Sequence, residues 1–194
     1  MPFTPFHLGP GLVFKAIGGR HFSFMVFGGA QVLIDIEPGL GLALGWPVLH
    51  GWTHTVAGAA AIGAVAGVIG KPVSSAVLRG LRIVHPPLTW TASFAGAFVG
   101  TFSHVLLDGL MHADMRPLWP LSEVNAWLGW VPMERVYDGC LVAALVGAAA
   151  LALRGYWPRR APRAPRRARR RPWTKRRSPR TWRRTSTDSV ARCA

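Results

Sequence analysis

Two histidines and two aspartates close an apolar run at SHVLLDGLMHAD, positions 103–114. His104, Asp108 and His112 are spaced four residues apart. At 3.6 residues per turn they form one helical stripe that drifts by about 40° per step. His104 and His112 then stand about 12 Å apart along the axis, too far to share one ion. Each can share an ion with Asp108 between them, because a carboxylate can bridge two metals. Asp114 follows where HADMRP should turn out of the helix. Imidazole and carboxylate donors suit zinc, manganese or iron. Cys140 and Cys193 lie in unrelated contexts, so neither a disulfide framework nor a thiolate-rich metal knuckle is expected.

Other candidates lie far away in sequence. LIDIEP carries Asp35 and Glu37, which point to nearly opposite sides of a regular helix, so only one of them should face a shared site. LHGWTHT carries His50 and His54, again four apart, at the expected start of a helix. His54 reads as a ligand, while for His50 a helix-capping role is an equal alternative. His7 lies in PFTPFH near the N-terminus. His21 and His85 have no acidic neighbour and read as interfacial residues. Arg116 could clamp an anionic substrate group or pair with Asp114.

These residues must be positioned by apolar elements. Four segments stand out, at about His21–Ile36, Trp52–Gly70, Leu88–Met111 and Val136–Leu153. A membrane-spanning helix needs roughly 20 apolar residues, which the third segment meets comfortably and the others marginally. Such segments could also be buried helices of a soluble domain. Small residues at four-residue spacing, Gly63/Gly67, Gly96/Gly100 and Ala143/Gly147, favour close-packed membrane helices. Tyr156 and Trp157 suit the headgroup region beyond the fourth segment. The opening MPFTPFHLGPG lacks the pattern of a cleaved signal peptide.

The net charge of +15 is misleading as a pointer to nucleic acid. From Arg154 onward there are sixteen Lys or Arg residues and one acid, which leaves seven basic and seven acidic residues in 1–153. The tail is low in complexity and cannot form a packed core. It reads as an arm for anionic lipid or nucleic acid, as a solvated topology anchor, or as a GC-rich gene read in a shifted frame, with the last two favoured. The expected architecture is all-α. A multi-pass helical membrane bundle of about four apolar helices occupies residues 1–157, and a disordered basic tail occupies 158–194.

Lys15 and Arg20 precede the first segment, and Lys71, Arg79 and Arg82 fall in an expected loop at 71–87. With four crossings, the positive-inside rule places that loop and both termini in the cytoplasm. Asp35, His50 with His54, and His104 to Asp114 then all arrive at the outer face. An ionisable residue at membrane depth is a functional candidate in its own right. His7 does not fit this topology unless the first twenty residues dip into the protein, the first segment fails to span, or the helices lie on the membrane.

The ordered motifs LIDIEP, HGWTHT and FSHVLLDGLMHADMRPLWP resemble those of the bacterial inner-membrane metal-dependent hydrolase family. The resemblance covers roughly residues 1–150, and the opening is similar to a subgroup known as a domain of unknown function. Glu37 stands where the family has a second aspartate, and Gly51 where arginine is common. More distantly, His7, Asp35, His54 and His104-x-x-x-Asp108 look like the ligand order of zinc-dependent phospholipase C and related nucleases. The resemblance implies hydrolysis by a metal-activated water, with a phosphoester or lipid-like ester as substrate and membrane lipid as partner. It implies His7, Asp35, His54, His104 and Asp108 as ligands of a divalent ion, zinc before manganese or iron. Asp114 or His112 would orient the water or complete a second ion. The alternative is a non-catalytic membrane protein, a metal-binding or transport component.

Overall fold

The computed structural model describes residues 5–83 and 85–156, and every regular element among them is helical. Six α-helices follow in order: α1 (Gly9–Gly18), α2 (Phe24–Ile34), α3 (Ile36–Leu44), α4 (Val56–Gly80), α5 (Trp90–Met111) and α6 (Met133–Tyr156). Short 3-10 turns occupy Pro5–Leu8, Gly19–His21 and Trp52–His54. Four stretches are long and apolar enough to cross a membrane: α2 with α3, α4, α5, and α6 as far as Gly155. The expected all-α bundle of four apolar segments is what forms. The basic tail at 158–194 lies outside the described residues.

Three of the helices begin on a hydroxyl cap. Ser23, Thr55 and Thr89 accept hydrogen bonds from the backbone N–H groups of Val26, Gly58 and Ala92 at 3.3, 2.9 and 3.1 Å. Each cap satisfies an N–H that a helix start leaves orphaned, worth about 1 kcal/mol. α5 is the centre of the bundle, with α4 antiparallel on one side and α2 parallel on the other. The Ser93 hydroxyl donates to the Gly67 carbonyl at 2.7 Å, and the Ser23 N–H donates to the Ala92 carbonyl at 3.0 Å. A Cβ at Gly96 would collide with the Ser23 carbonyl, so this close approach requires glycine. Val26, Ala30, Ala66 and Ala97 fill the space between these helices.

The first segment does not stop at Glu37-Pro38. The chain breaks at Asp35, which closes α2 and opens α3. Pro38 sits in the first turn of α3, where its missing N–H leaves no helical bond unmade. The second segment also runs on, to Gly80, so Lys71 and Arg79 are helical and do not belong to a loop. The Lys71 ammonium lies 4.3 Å from the centroid of the Trp90 ring, a contact that lets the charge remain on an apolar helix.

The largest departure is α1. It runs alongside α6 in the same direction: Gly9 adjoins Cys140, Leu12 and Val13 adjoin Gly147, and Arg154 donates to the Ala16 carbonyl. α2 then returns toward Asp35. The turn Pro5–Leu8 therefore lies at the end of the bundle where α2 and α5 finish, opposite Lys15 and Arg20. Residues 5–20 do dip into the protein, and an N-terminal segment lying wholly at the Lys15–Arg20 end is corrected accordingly.

Candidate metal centre

Two short turns, the α2–α3 junction and α5 bring polar side chains to one end of the bundle. Asp35 sits at the break between α2 and α3. His104 and Asp108 stand one turn apart on α5. His54 ends the turn Trp52–His54, and His7 lies in Pro5–Leu8. His50 and His54 lie in the loop and turn that lead into α4, at the entry to the second apolar segment. Their loop is held by the Val56 N–H, which donates to the Pro117 carbonyl at 2.8 Å. His112 has left α5, and the Asn125 amide pins the following chain by donating to the Gly109 and His112 carbonyls at 2.8 and 3.2 Å.

The side chains converge on Asp108. His104 Nε2 lies 3.0 Å from both Asp35 Oδ1 and Asp108 Oδ2, and His54 Nε2 lies 3.6 and 3.5 Å from the same atoms. An ion with ligand bonds near 2.1 Å in tetrahedral geometry spaces its donors ~3.4 Å apart, so these four residues fit such a site. On the other carboxylate oxygen, Asp108 Oδ1, His7 Nε2 stands at 3.5 Å and His112 Nε2 at 3.8 Å. His50 Nε2 is 3.9 Å from Asp108 Oδ2, and its ring stacks on His112 with centroids 4.5 Å apart. His50, Asp108 and His112 form a second group able to hold an ion.

Burial makes this geometry expensive. His54 is 0% exposed, His104 1% and Asp108 4%. Among the described residues, the ion-pair partners of Asp35 and Asp108 are all histidines. Buried carboxylates without a cation cost several kcal/mol.

The outer ring nitrogens are already committed. His104 Nδ1–H donates to the Gln31 amide oxygen, whose own NH₂ donates to the His7 carbonyl at 3.4 Å. The Thr53 hydroxyl donates to the Glu37 carboxylate, so its oxygen accepts from His54 Nδ1–H at 2.9 Å. The Thr53 backbone N–H donates to the same carboxylate at 2.9 Å. His50 Nδ1–H donates to Asp114 Oδ1 at 2.9 Å. In all three rings the bond at Nδ1 leaves Nε2 facing inward, where it can carry a proton or bind a metal. Oriented Nδ1–H groups of this kind are the usual support of metal-binding imidazoles. Consistently, among the described residues, Nε2 of His7, His50, His54 and His104 and Oδ1 of Asp35 are buried without a hydrogen-bond partner. A cation between these atoms, whether proton or metal, relieves the repulsion of their lone pairs.

The electrostatics outside the spans agree. Burial pushes the His7 imidazole down to about 4 despite the Asp108 carboxylate, so it is neutral at pH 7 and free to coordinate. Burial also opposes charge on His54, yet the nearby Asp108 and Asp35 carboxylates raise its pKa above the ordinary value. Burial likewise disfavours charge on Asp114. Hydrogen bonds from the His50 ring and from the Leu49 and His50 N–H groups nevertheless hold its carboxyl below the usual range.

The structure thus brings His7, Asp35, His54, His104, Asp108 and His112 together. Asp114 stands behind His50 rather than beside Asp108. Arg116 does not pair with Asp114; its Nη1 lies 3.6 Å from Glu123 Oε1, and both side chains are exposed. Glu37 faces Thr53, away from the centre. Gln31 and Thr53 went unrecognised in the sequence. For Gln31 the signal was an amide within an apolar run, one turn before Asp35; Thr53 gave none beyond its place beside His54. His21 and His85 pair locally, with Arg20 and the Pro86 carbonyl.

Fold and site together define a multi-pass helical membrane protein with a buried histidine–aspartate cluster at one end. The family model of the YdjM inner membrane protein matches residues 14–167, and the chain belongs to that family. No curated protein and no solved structure matches it.

Proposed function

We propose that this protein is a membrane-bound, metal-dependent hydrolase. The observation that carries the reading is the inward convergence of imidazole Nε2 atoms and carboxylate oxygens whose outer atoms are already hydrogen-bonded. Asp35, His54, His104 and Asp108 would hold one divalent ion, with His7 beside it. His50, Asp108 and His112 would hold another. Zinc suits this donor set, and manganese or iron are compatible with it. A divalent ion bound there supplies a water of pKa near ~7 and polarises a phosphoryl or carbonyl oxygen. The chain's own contribution is to fix donor direction through Gln31, Thr53 with Glu37, and Asp114. The family resemblance favours a phosphoester or lipid-like ester as substrate.

A transport component is the competing reading. It needs ionisable groups through the depth of the bundle, but beneath the cluster lie Val26, Ala30, Ala66 and Ala97 with the neutral hydroxyls of Ser93 and Thr101. Charge segregation supports an orientation. Lys15, Arg20, Lys71, Arg79, Arg82 and Arg154 gather at the end away from the centre, which by the positive-inside rule faces the cytoplasm. The centre then lies in the outer half of a bacterial inner membrane.

The test is hydrolysis of bis(p-nitrophenyl) phosphate and p-nitrophenyl esters by the full-length protein in detergent. Chelation should abolish turnover, zinc, manganese or iron should restore it, and Asp108→Asn should not respond. Turnover indifferent to chelation and equal in Asp108→Asn would overturn the reading.

A further inference from the structure

A cavity of about 230 Å³ lies above His50, between Trp52 and Trp119, with Arg116 on its wall. His50 belongs to both spaces, since its Nε2 faces Asp108 at 3.9 Å. Among the described residues, Arg116 is the one lysine or arginine lining this mouth, and its contact with Glu123 joins two exposed groups. Such pairs contribute little and are readily exchanged for a better-placed anion.

Trp52 also lines a second space. A groove of about 450 Å³ runs from Trp52 along Leu33, Ile36, Leu40, Ile62 and Val65, within the membrane-crossing stretches of α2, α3 and α4. Its walls are hydrocarbon, apart from Glu37 and Thr53 at the centre's edge. The loops at this end expose Trp46, Trp52, Trp119 and Trp130, residues that favour the headgroup zone. One tryptophan therefore separates a cationic mouth at headgroup level from an apolar groove at acyl-chain level.

We propose that this paired site binds an amphiphile taken from the membrane, with its anionic phosphate-type head on Arg116 above His50 and its hydrocarbon chain in the α2–α3–α4 groove. This deepens the hydrolase reading by naming the substrate class, and it rests on that reading for the chemistry alone. A soluble phosphate ester would use the mouth and leave the groove empty. A neutral or cationic lipid would leave Arg116 without a role.

The test measures displaceable binding of tritiated dodecylphosphonate, whose P–C bond resists hydrolysis, to full-length protein in maltoside micelles. Arg116→Gln should weaken binding about tenfold, the worth of one charged hydrogen bond. Arg135→Gln, an exposed cation at the same end, should change nothing. Butylphosphonate should compete at least about tenfold less well, because methylene burial is lost. Val65→Trp places bulk in the groove from a half-exposed position; it should weaken dodecylphosphonate and spare butylphosphonate. Dodecyltrimethylammonium should not compete. Undiminished binding to Arg116→Gln, absence of displaceable binding, or inorganic phosphate competing as well as dodecylphosphonate would each overturn the proposal. Metal analysis of the same samples separates the two readings. Metal-free protein that still shows the Arg116 and Val65 effects sinks the hydrolase and leaves the amphiphile site standing. Metal-loaded protein without those effects does the reverse.

Discussion

The two ends of the bundle are built from the same helices and solve opposite problems. At the Lys15–Arg20 end, α2, α4 and α5 touch through Val26, Ala30, Ala66 and Ala97, with Gly96 pressed against the Ser23 carbonyl. Away from it, the same helices deliver Asp35, His104 and Asp108, and a loop adds His54. The apolar half is held by packing and by neutral hydrogen bonds such as that of Ser93 to the Gly67 carbonyl. The polar half buries two carboxylates among imidazoles, which costs stability until a cation arrives. The difference suggests a division of labour. Close packing at one end holds the helices together, while donors from separate helices meet at the other.

Substitutions can break this contrast from either side. Asp108→Asn should have the largest effect, because Asp108 faces five histidines. Hydrolysis should fall about a thousandfold or more, measured by initial rates at saturating metal. Gly96→Leu should act at the other end. It forces a side chain into the Ser23 backbone and should cost about 3 kcal/mol, read as a lowered thermal midpoint, while metal per folded molecule stays at the wild-type level. Loss of metal in the folded fraction of Gly96→Leu would show that the halves are not separable.

Part of this contrast was legible in the sequence. His104-x-x-x-Asp108 sits on one helical face because the period of the α-helix requires it, and Gly63, Gly67, Gly96 and Gly100 marked the close contacts by their spacing. Long-range arrivals were harder to read. His7 reaches the centre because α1, short and carrying Lys15, returns the chain to that end, and a helix of that length does not register as a span. The run of α4 through Lys71 and Pro72 depended on the Trp90 ring, a tertiary partner invisible to local pattern. Capping of an expected helix explained His50 as well as binding did, until the loop at 45–55 placed it against Asp108 and Asp114.

Smaller perturbations sharpen the comparison. Thr53→Val removes the hydroxyl that links Glu37 to His54 and keeps its bulk. Metal affinity should weaken about 10–100-fold in a chelator-competition titration, with the fold unchanged. Unaltered affinity would deny Glu37 and Thr53 their orienting role. Lys71→Met, far from the centre, should lose only the contact with Trp90, about 0.5–1 kcal/mol of stability by thermal melting, and leave metal affinity as it was.

The account's central claim is that the buried cluster holds a divalent ion. Its most direct test is the zinc, manganese and iron content of full-length protein purified in detergent, by mass spectrometry, with and without reloading, beside Asp108→Asn. The expected result is at least about one ion per chain in the wild type and under about a tenth of that in the variant. A wild-type protein that remains metal-free after reloading, or a fully loaded Asp108→Asn, would contradict it.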